Sequence, residues 1–171
     1  ADFVLTSFHQ NSNSMRFFST AFLLFVWMHT NAQTKSVVNP KAEAWKKEVI
    51  KAIDGRAKDA QVMVDMVFSF SELGFHETET AAYLTKILED NGFTIQRGIA
   101  GIPTAWTATW GNGKPFIALG SDVDCIPKAS QKPGVAFKAP IVEDAPGHGE
   151  GHNSGLPLLI LSAIEVKKIM E

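Results

Sequence analysis

The stretch Gly147-His148-Gly149-Glu150-Gly151-His152-Asn153-Ser154-Gly155 places two imidazoles and one carboxylate between glycines. In an extended segment, side chains two residues apart project to the same side with a spacing of about 6.6 Å. Imidazole and carboxylate groups are ligands for zinc, manganese or cobalt. The glycines allow the backbone to fold closely around an ion and oppose helix formation. The stretch therefore indicates a metal site, and the residues alone leave open a flexible glycine loop with solvated histidines.

A second polar cluster, Gly120-Ser121-Asp122-Val123-Asp124-Cys125-Ile126-Pro127, follows a predicted strand. Open α/β sheets bind their ligands at the carboxyl ends of strands. Asp122 and Asp124 are two residues apart and can share one face, so they are candidates for the same site. The alternative is that they are turn residues at the start of a loop. Cys125 is the single cysteine of the chain, and we expect it to be a small buried residue rather than a ligand.

The segments around these clusters predict an α/β fold with a mixed sheet flanked by helices. The spacing of apolar residues predicts helices over residues 41–71 (one long helix or two abutting ones), 78–90 and 154–170. Strands are predicted over residues 93–97, 104–110 and 115–120. The pair Asn112-Gly113 predicts a hairpin between the last two strands. Residues 128–147 form an irregular stretch, which is uncommon at this length and usually functional when ordered.

The amino-terminal residues have the pattern of a secretory signal. Met15 and Arg16 precede an apolar run over residues 17–28, and small side chains at Thr30 and Ala32 suit cleavage before Gln33. The run covers only about 18 Å of a hydrocarbon core of about 30 Å, so we expect no stable membrane span. We predict an upstream, non-native segment (1–14), a signal peptide (15–32), and export to the periplasm or secretion. A buried core helix is the alternative for the apolar run.

Composition excludes some partners. The chain has 171 residues, is 45% hydrophobic and 20% charged, and carries a formal net charge of −2. No cluster of Lys and Arg is interleaved with aromatic residues, so we expect no nucleic acid partner. A single cysteine in an exported chain excludes an internal disulfide, so packing or a bound metal has to stabilise the fold.

Four stretches, in the same order along the chain, resemble motifs of the amidohydrolases in the M-twenty class of metallopeptidases. Within that class they are most similar to the branch of aminobenzoyl-glutamate utilisation proteins, which is related to aminoacylases and IAA-amino-acid hydrolases. The stretches are Ser71-Glu72-Leu73-Gly74-Phe75-His76-Glu77-Thr78-Glu79-Thr80, Gly101-Ile102-Pro103-Thr104-Ala105, Asp124-Cys125-Ile126-Pro127, and residues 147–153, which are similar to Gly-His-Gly-Cys-Gly-His-Asn. The resemblance extends from about Trp45 to the end of the chain.

The resemblance implies roles for individual residues. His152 corresponds to a metal-binding histidine, and Glu150 stands where the family usually has a metal-binding cysteine. A carboxylate is a harder donor than a thiolate, which favours manganese, cobalt or oxygen-rich zinc. Asp122 falls where other branches have a metal-binding histidine, and Asp124 matches the acidic residue that orients a ligand from behind. His148 is a weaker candidate, as a flanking residue of the motif.

The resemblance also implies a fold and a function. Residues 33–171 would be the N-terminal part of a zinc-peptidase-like catalytic domain, with the remainder and a lid and dimerisation domain absent. In the family, two divalent ions (zinc, manganese or cobalt) activate a water for attack on an amide carbonyl. The glutamate that moves the proton lies beyond the motif, so we expect no catalytic residue within this fragment and no activity of the fragment alone.

The function implied is exported, metal-dependent hydrolysis of the amide bond in N-acyl amino acids, aminobenzoyl-glutamate-like compounds or short peptides, by a protein that is a homodimer at full length. Two alternatives remain open. One is a non-catalytic relative or binding module with a degenerate metal site. The other is a small exported structural domain.

Overall fold

The computed structural model describes residues 38–171. The predicted upstream segment (1–14) and signal peptide (15–32) lie outside the described residues, and both stay predictions. Among the described residues, no helix combines the length and the apolar character needed to cross a membrane.

Helices supply most of the regular structure in this part of the chain. Their bounds are Pro40–Asp54 (α1), Ala57–Phe70 (α2), Thr78–Asp90 (α3) and His152–Met170 (α4). Residues 41–71 were predicted as one long helix or two abutting helices. The second possibility is confirmed, because the chain turns at Gly55 and Arg56. Helix α3 has the predicted bounds, and α4 begins two residues earlier than predicted.

The core lies where α2, α3 and α4 meet. Its buried apolar side chains are Met63, Val67, Leu84, Leu88, Leu156, Ile160, Leu161 and Ile164. These positions recur at spacings of three and four within each helix, so each helix turns one apolar stripe inward. Full burial of each such side chain contributes about 1.5–3 kcal/mol. The core therefore fixes the direction of α4, whose first residue is His152.

The sheet differs from the prediction. Strands Thr94–Arg97 (β1) and Trp106–Thr109 (β2) pair antiparallel, and Thr94 lies opposite Thr109. Among the described residues this two-stranded sheet takes the place of the mixed sheet, so that part of the prediction is wrong. Helices and strands are both present, which is compatible with the α/β class.

The predicted strand over residues 115–120 and its hairpin with β2 are also wrong. Phe116, Ile117 and Leu119 are 78%, 60% and 49% exposed, and no backbone ladder joins them to another described segment. A strand without a ladder partner or a buried face has little to stabilise it. The hairpin instead joins β1 to β2 through a short 3₁₀ turn, Ile99–Gly101.

A buried ion pair joins the start of α2 to α4. The carboxylate of Glu165 is 3% exposed, and Arg56 Nε donates to its Oε1 at 2.6 Å. Lys168 Nζ donates to both carboxylate oxygens, at 2.8 and 3.0 Å. A carboxylate at this depth requires paired cations because desolvation of an unpaired charge is costly.

Replacing Arg56 by methionine is expected to lower the free energy of unfolding by about 2 kcal/mol, less than the usual cost because Lys168 remains. A double variant that also carries Glu165→Leu should recover part of this loss, since no buried charge is then left. Urea denaturation followed by circular dichroism measures both values. Lys46→Met is the control, because its pair with Glu43 is exposed and should change stability by less than about 1 kcal/mol. Equal losses for Arg56→Met and Lys46→Met would contradict the expectation.

Candidate metal centre

Two β-bridges hold three distant segments side by side. Leu73 pairs in parallel with Cys125, and Ile126 pairs antiparallel with Gly147. The Cys125 N–H donates to the Glu72 carbonyl at 2.8 Å, and Ile126 and Gly147 exchange hydrogen bonds of 3.0 and 3.1 Å. These bridges bring the two polar clusters together, although the irregular stretch over residues 128–147 separates them along the chain.

The bridge at Gly147 requires glycine. A Cβ at this position would lie 2.2 Å from the Ala129 carbonyl oxygen and 2.7 Å from the Ser130 nitrogen. Real Cβ atoms do not approach backbone atoms so closely, so a side chain here would force the segments apart. Gly151 has a φ of +97° as the N-cap of α4, a conformation that glycine adopts at little cost. The glycines of the motif thus set the path of the chain into His152.

Four of the predicted site residues converge, with His152 at their centre. Its Nδ1 lies 3.1 Å from Asp124 Oδ1, and its Nε2 lies 3.4 Å from Asp122 Oδ1 and 3.3 Å from Glu150 Oε2. One ligand atom each from Asp122, Asp124 and His152 lie within 4.8 Å of one another. The imidazole is 21% exposed, whereas the Asp122 and Glu150 side chains are 72% and 59% exposed. The group is therefore open to solvent on its carboxylate side.

Two separations from His152 Nε2 are compatible with a divalent cation, although Glu150 does not belong to the group whose ligand atoms all lie within 4.8 Å of one another. Ligand atoms on a tetrahedral ion with bonds of about 2.0–2.1 Å lie about 3.3 Å apart. The two separations from His152 Nε2, 3.4 Å to Asp122 and 3.3 Å to Glu150, match that value. Asp124 faces the other ring nitrogen, where a carboxylate fixes the tautomer and orientation of a ligating histidine. The Asp124 carboxylate is thus placed to orient the ring, which leaves Nε2 as the ring nitrogen that faces Asp122 and Glu150.

The surroundings of His152 act on its pKa in both directions. Burial, the largest effect, disfavours the imidazolium form. The Asp124 carbonyl and the carboxylates of Asp122, Asp124 and Glu150 favour it, and together they raise the pKa of His152 above its ordinary value. A metal ion competes with this proton for the ring. Metal affinity should consequently fall as the pH decreases through the raised pKa.

His148 lies apart from this group. Its Nε2 is 3.1 Å from the Val67 carbonyl oxygen, and its ring centroid is 6.2 Å from that of Phe68. Burial lowers the pKa of His148. The expectation that residues 148, 150 and 152 project to one side of an extended segment is wrong, because the backbone turns at Gly151 and α4 begins at the next residue. His148 thus packs against α2, and the charges of His152 and Asp124 still act on its pKa.

Cys125 is 4% exposed, and the prediction that it is a small buried residue is confirmed. Burial, the largest effect, raises the pKa of the thiol to about 11, Asp124 and Glu72 add to the rise, and a hydrogen bond with Ser71 opposes it. The thiol is therefore protonated at neutral pH. A protonated, buried thiol is a poor ligand and a poor nucleophile.

Glu72 and Gly74 help to position Asp124, a role that the sequence patterns do not predict. The Glu72 carboxylate accepts hydrogen bonds from the N–H groups of Glu79 and Thr80, both at 2.9 Å, at the start of α3. The Cβ direction of Gly74 points to Asp124, 3.7 Å from its Oδ2. An acidic residue shortly before a predicted helix was the available signal. No local sequence pattern predicts the contact between Gly74 and Asp124, because it depends on the bridge between Leu73 and Cys125.

Replacing Asp124 by asparagine is expected to weaken zinc binding about tenfold, the lower end for a group that orients a ligating histidine. The neutral amide stabilises the oriented ring less, while the ligands on the Nε2 side remain. Equilibrium dialysis with zinc measures the change. Glu143→Gln, an exposed acid in the neighbouring loop, should bind zinc like the unchanged protein. A loss for Asp124→Asn as large as that for His152→Ala would instead make Asp124 a direct ligand.

Comparisons with known proteins agree with the resemblance seen in the motifs. One component of the p-aminobenzoyl-glutamate hydrolase of Escherichia coli (strain K12) is 37% identical over 109 residues, which is 64% of this chain and 23% of that protein. YhaA of Bacillus subtilis (strain 168), provisionally named as an amidohydrolase, is 30% identical over 111 residues, 64% of this chain and 28% of that protein.

The chain spans about a quarter of the length of these curated relatives, at 23% and 28%. No protein-family model matches it, and no solved structure matches it significantly. The two relatives are nevertheless named as a hydrolase and an amidohydrolase, which is the class of protein that the four motifs indicate. Over the matched residues, the chain is similar to amidohydrolases of the aminobenzoyl-glutamate hydrolase type, and the resemblance predicted from its motifs is confirmed.

Proposed function

We propose that the protein is a metal-dependent hydrolase of amide bonds. The observation that carries this proposal is the convergence of Asp122 and Glu150 on Nε2 of His152, at 3.4 and 3.3 Å, while Asp124 engages Nδ1. The similarity to amidohydrolases supplies the reaction class.

Each residue of the cluster has a distinct part in this proposal. Asp122, Glu150 and His152 Nε2 would hold a divalent ion, and the Asp124 carboxylate accepts a hydrogen bond from the Nδ1–H group and so fixes the ring. When bound, the ion supplies Lewis acidity that polarises an amide carbonyl and lowers the pKa of water. The exposed carboxylate side of the cluster leaves room for a substrate. We propose no catalyst of the proton transfer among the described residues.

The metals and substrates follow from donor chemistry and resemblance. Two carboxylates and one imidazole, without a thiolate, favour zinc, manganese or cobalt, and we propose two ions, as in the family that the motifs resemble. As substrates we propose N-acyl amino acids, aminobenzoyl-glutamate-like compounds or short peptides. The name of the similar E. coli protein supports the second of these. We also propose export, from the pattern of residues 15–32, and a homodimer, from the family resemblance.

The product of the complete reading frame provides the test. It is stripped of metal with a chelator, reloaded with zinc, manganese or cobalt, and assayed for hydrolysis of N-acyl glutamates. We expect activity to disappear with the metal and to return with at least one of the three ions. Activity that survives complete metal removal would contradict metal dependence. Tight metal binding without turnover of any amide would favour a binding module instead.

Substitutions at Glu150 test whether this residue, which stands in place of the cysteine usual in the family motif, binds the metal. Glu150→Ala is expected to weaken zinc binding about tenfold or more because it removes one donor from the Nε2 side of the cluster. Glu150→Cys restores the donor usual in the family and should bind zinc at least as tightly as the unchanged protein. Isothermal titration with zinc measures both. If Glu150→Ala binds zinc like the unchanged protein, Glu150 is not a ligand.

A further inference from the structure

His148 belongs to the motif of residues 147–153, and the proposed function gives it no part. Its Nε2 lies 3.1 Å from the Val67 carbonyl oxygen. A carbonyl oxygen only accepts, so the neutral ring carries its proton on Nε2 and donates it to Val67. Nδ1 is buried and has no hydrogen-bond partner among the described residues. A buried nitrogen without a partner lowers stability, so stability alone gives little reason for an imidazole at this position.

The acceptor of this hydrogen bond lies at the carboxyl end of α2. Val67 is one of the last four residues of α2, whose carbonyl groups have no partner within the helix. These carbonyls carry partial negative charge, and an imidazole N–H is a suitable donor for them. The next carbonyl, that of Phe68, accepts from the Ser71 hydroxyl at 2.8 Å. His148 therefore caps α2 from a distant segment, much as Ser71 does locally.

The segment that His148 ties to α2 has few other anchors. Residues 148–150 take part in no backbone–backbone hydrogen bond with any part of the chain that the structure describes. The bridge at Gly147 holds the chain before them, and α4 holds it after them. The hydrogen bond to Val67 is thus the tether of this segment to the helical core. Glu150, which is 59% exposed, lies two residues from that tether.

The same end of α2 also leads to the other half of the cluster. Two residues after α2, the Glu72 carbonyl accepts a hydrogen bond from the Cys125 N–H at 2.8 Å. The residue before Cys125 is Asp124, whose Oδ1 lies 3.1 Å from His152 Nδ1. The carboxyl end of α2 therefore anchors both segments that carry candidate ligands, one through Cys125 and the other through His148.

We propose that His148 is a positioning residue of the metal centre, which holds Glu150 at the Nε2 side of His152 by tying residues 148–150 to Val67. This inference rests on the proposed function, in which Glu150 and His152 Nε2 bind the ion. His148 itself contacts neither the ion nor the substrate. It should therefore influence zinc binding only through Glu150.

Two substitutions separate the hydrogen bond from the packing of the ring. His148→Phe keeps an aromatic ring beside Phe68, whose centroid lies 6.2 Å from that of His148, and removes the donor. His148→Gln keeps an N–H donor at a similar reach. We expect His148→Phe to weaken zinc binding about tenfold, as for other groups that orient a metal ligand, and His148→Gln to retain most of the affinity. Isothermal titration of the full chain with zinc measures both.

Ser69→Ala is the matched control for these variants. It removes a side-chain hydrogen bond to the neighbouring carbonyl of α2, that of Met66, which Ser69 Oγ reaches at 2.7 Å. Ser69 has no contact with residues 148–150 through this bond, so zinc affinity should stay unchanged. A loss for Ser69→Ala equal to that for His148→Phe would reduce the effect to general weakening of α2 and overturn the inference.

A double-mutant cycle with Glu150→Ala tests the route of the effect. If His148 acts through Glu150, His148→Phe should weaken zinc binding less than about twofold once Glu150 has been replaced, because the two effects are then not additive. A loss of the original size in the Glu150→Ala background would mean that His148 acts on the ion by another route. That result, or an unchanged zinc affinity in His148→Phe, would overturn the inference.

A measurement without metal separates this inference from the proposed function. Against the effect of burial, Glu150 is one of the carboxylates that raise the pKa of His152, so displacement of Glu150 should lower that pKa. In NMR titrations of the metal-free protein, we expect this pKa to fall in His148→Phe and in Glu150→Ala, with no further fall in the double variant. If no amide is hydrolysed with any metal but this pattern is found, the proposed function fails and the inference stands. If His148→Phe leaves the pKa of His152 unchanged, the inference fails whatever the turnover.

Discussion

Replacing Gly147 by alanine is expected to lower the free energy of unfolding by about 3 kcal/mol, the upper end for overpacking, and to weaken zinc binding strongly. The added Cβ would lie 2.2 Å from the Ala129 carbonyl oxygen, and backbone cannot move aside as a flexible side chain can. Relief of that clash breaks the paired hydrogen bonds between Gly147 and Ile126, which hold the segment of Asp124 beside that of His152. Urea denaturation and a zinc titration measure the two effects.

Gly120→Ala is the matched control for this substitution. No atom lies within 4 Å of the Cβ direction at Gly120, so alanine there should change stability by less than about 0.5 kcal/mol and leave zinc binding unchanged. If Gly147→Ala instead unfolds and binds zinc like the control, the close approach of these two backbone segments is absent in solution.

Replacing His152 by alanine is expected to weaken zinc binding by about 100-fold or more. The substitution removes the single nitrogen on which Asp122 and Glu150 converge, whereas loss of a supporting group alone costs about 10–100-fold. His76→Ala is the control, because His76 is exposed and lies outside the cluster. Isothermal titration with zinc measures both variants. Equal affinities for the two would remove His152 from the set of ligands.

Much of the helical part of the fold follows from local sequence. Helix α3 has the predicted bounds, Thr78–Asp90, because an apolar stripe, an acidic first turn and the pair Asn91-Gly92 all lie within its own segment. The strand over residues 115–120 was wrongly predicted for the opposite reason. An apolar run after Asn112-Gly113 is typical of a hairpin, but a strand also needs a partner, and local pattern does not supply one.

The candidate site was predictable as a set of residue types and not as an arrangement. Asp122, Asp124, Glu150 and His152 were selected by chemistry and resemblance, and their role as ligands stays a prediction. Their proximity depends on the bridges of Cys125 and Ile126 to distant segments, for which no local pattern exists. His148 shows the limit of the alternation rule. The backbone bends over residues 149–151 and α4 begins at His152, so the alternation of an extended segment does not apply to these two histidines.

The central claim is that His152 binds a cation through Nε2 while its protonated Nδ1 donates a hydrogen bond to Asp124. Nitrogen NMR of the imidazole rings, with and without zinc and with His152→Ala for assignment, tests it most directly. At saturating zinc we expect the Nε2 resonance of His152 to shift to the range of a metal-bound nitrogen and its Nδ1 to stay protonated, with His148 unchanged. Zinc that leaves the His152 signals in place, or that binds through His148 instead, would contradict the claim.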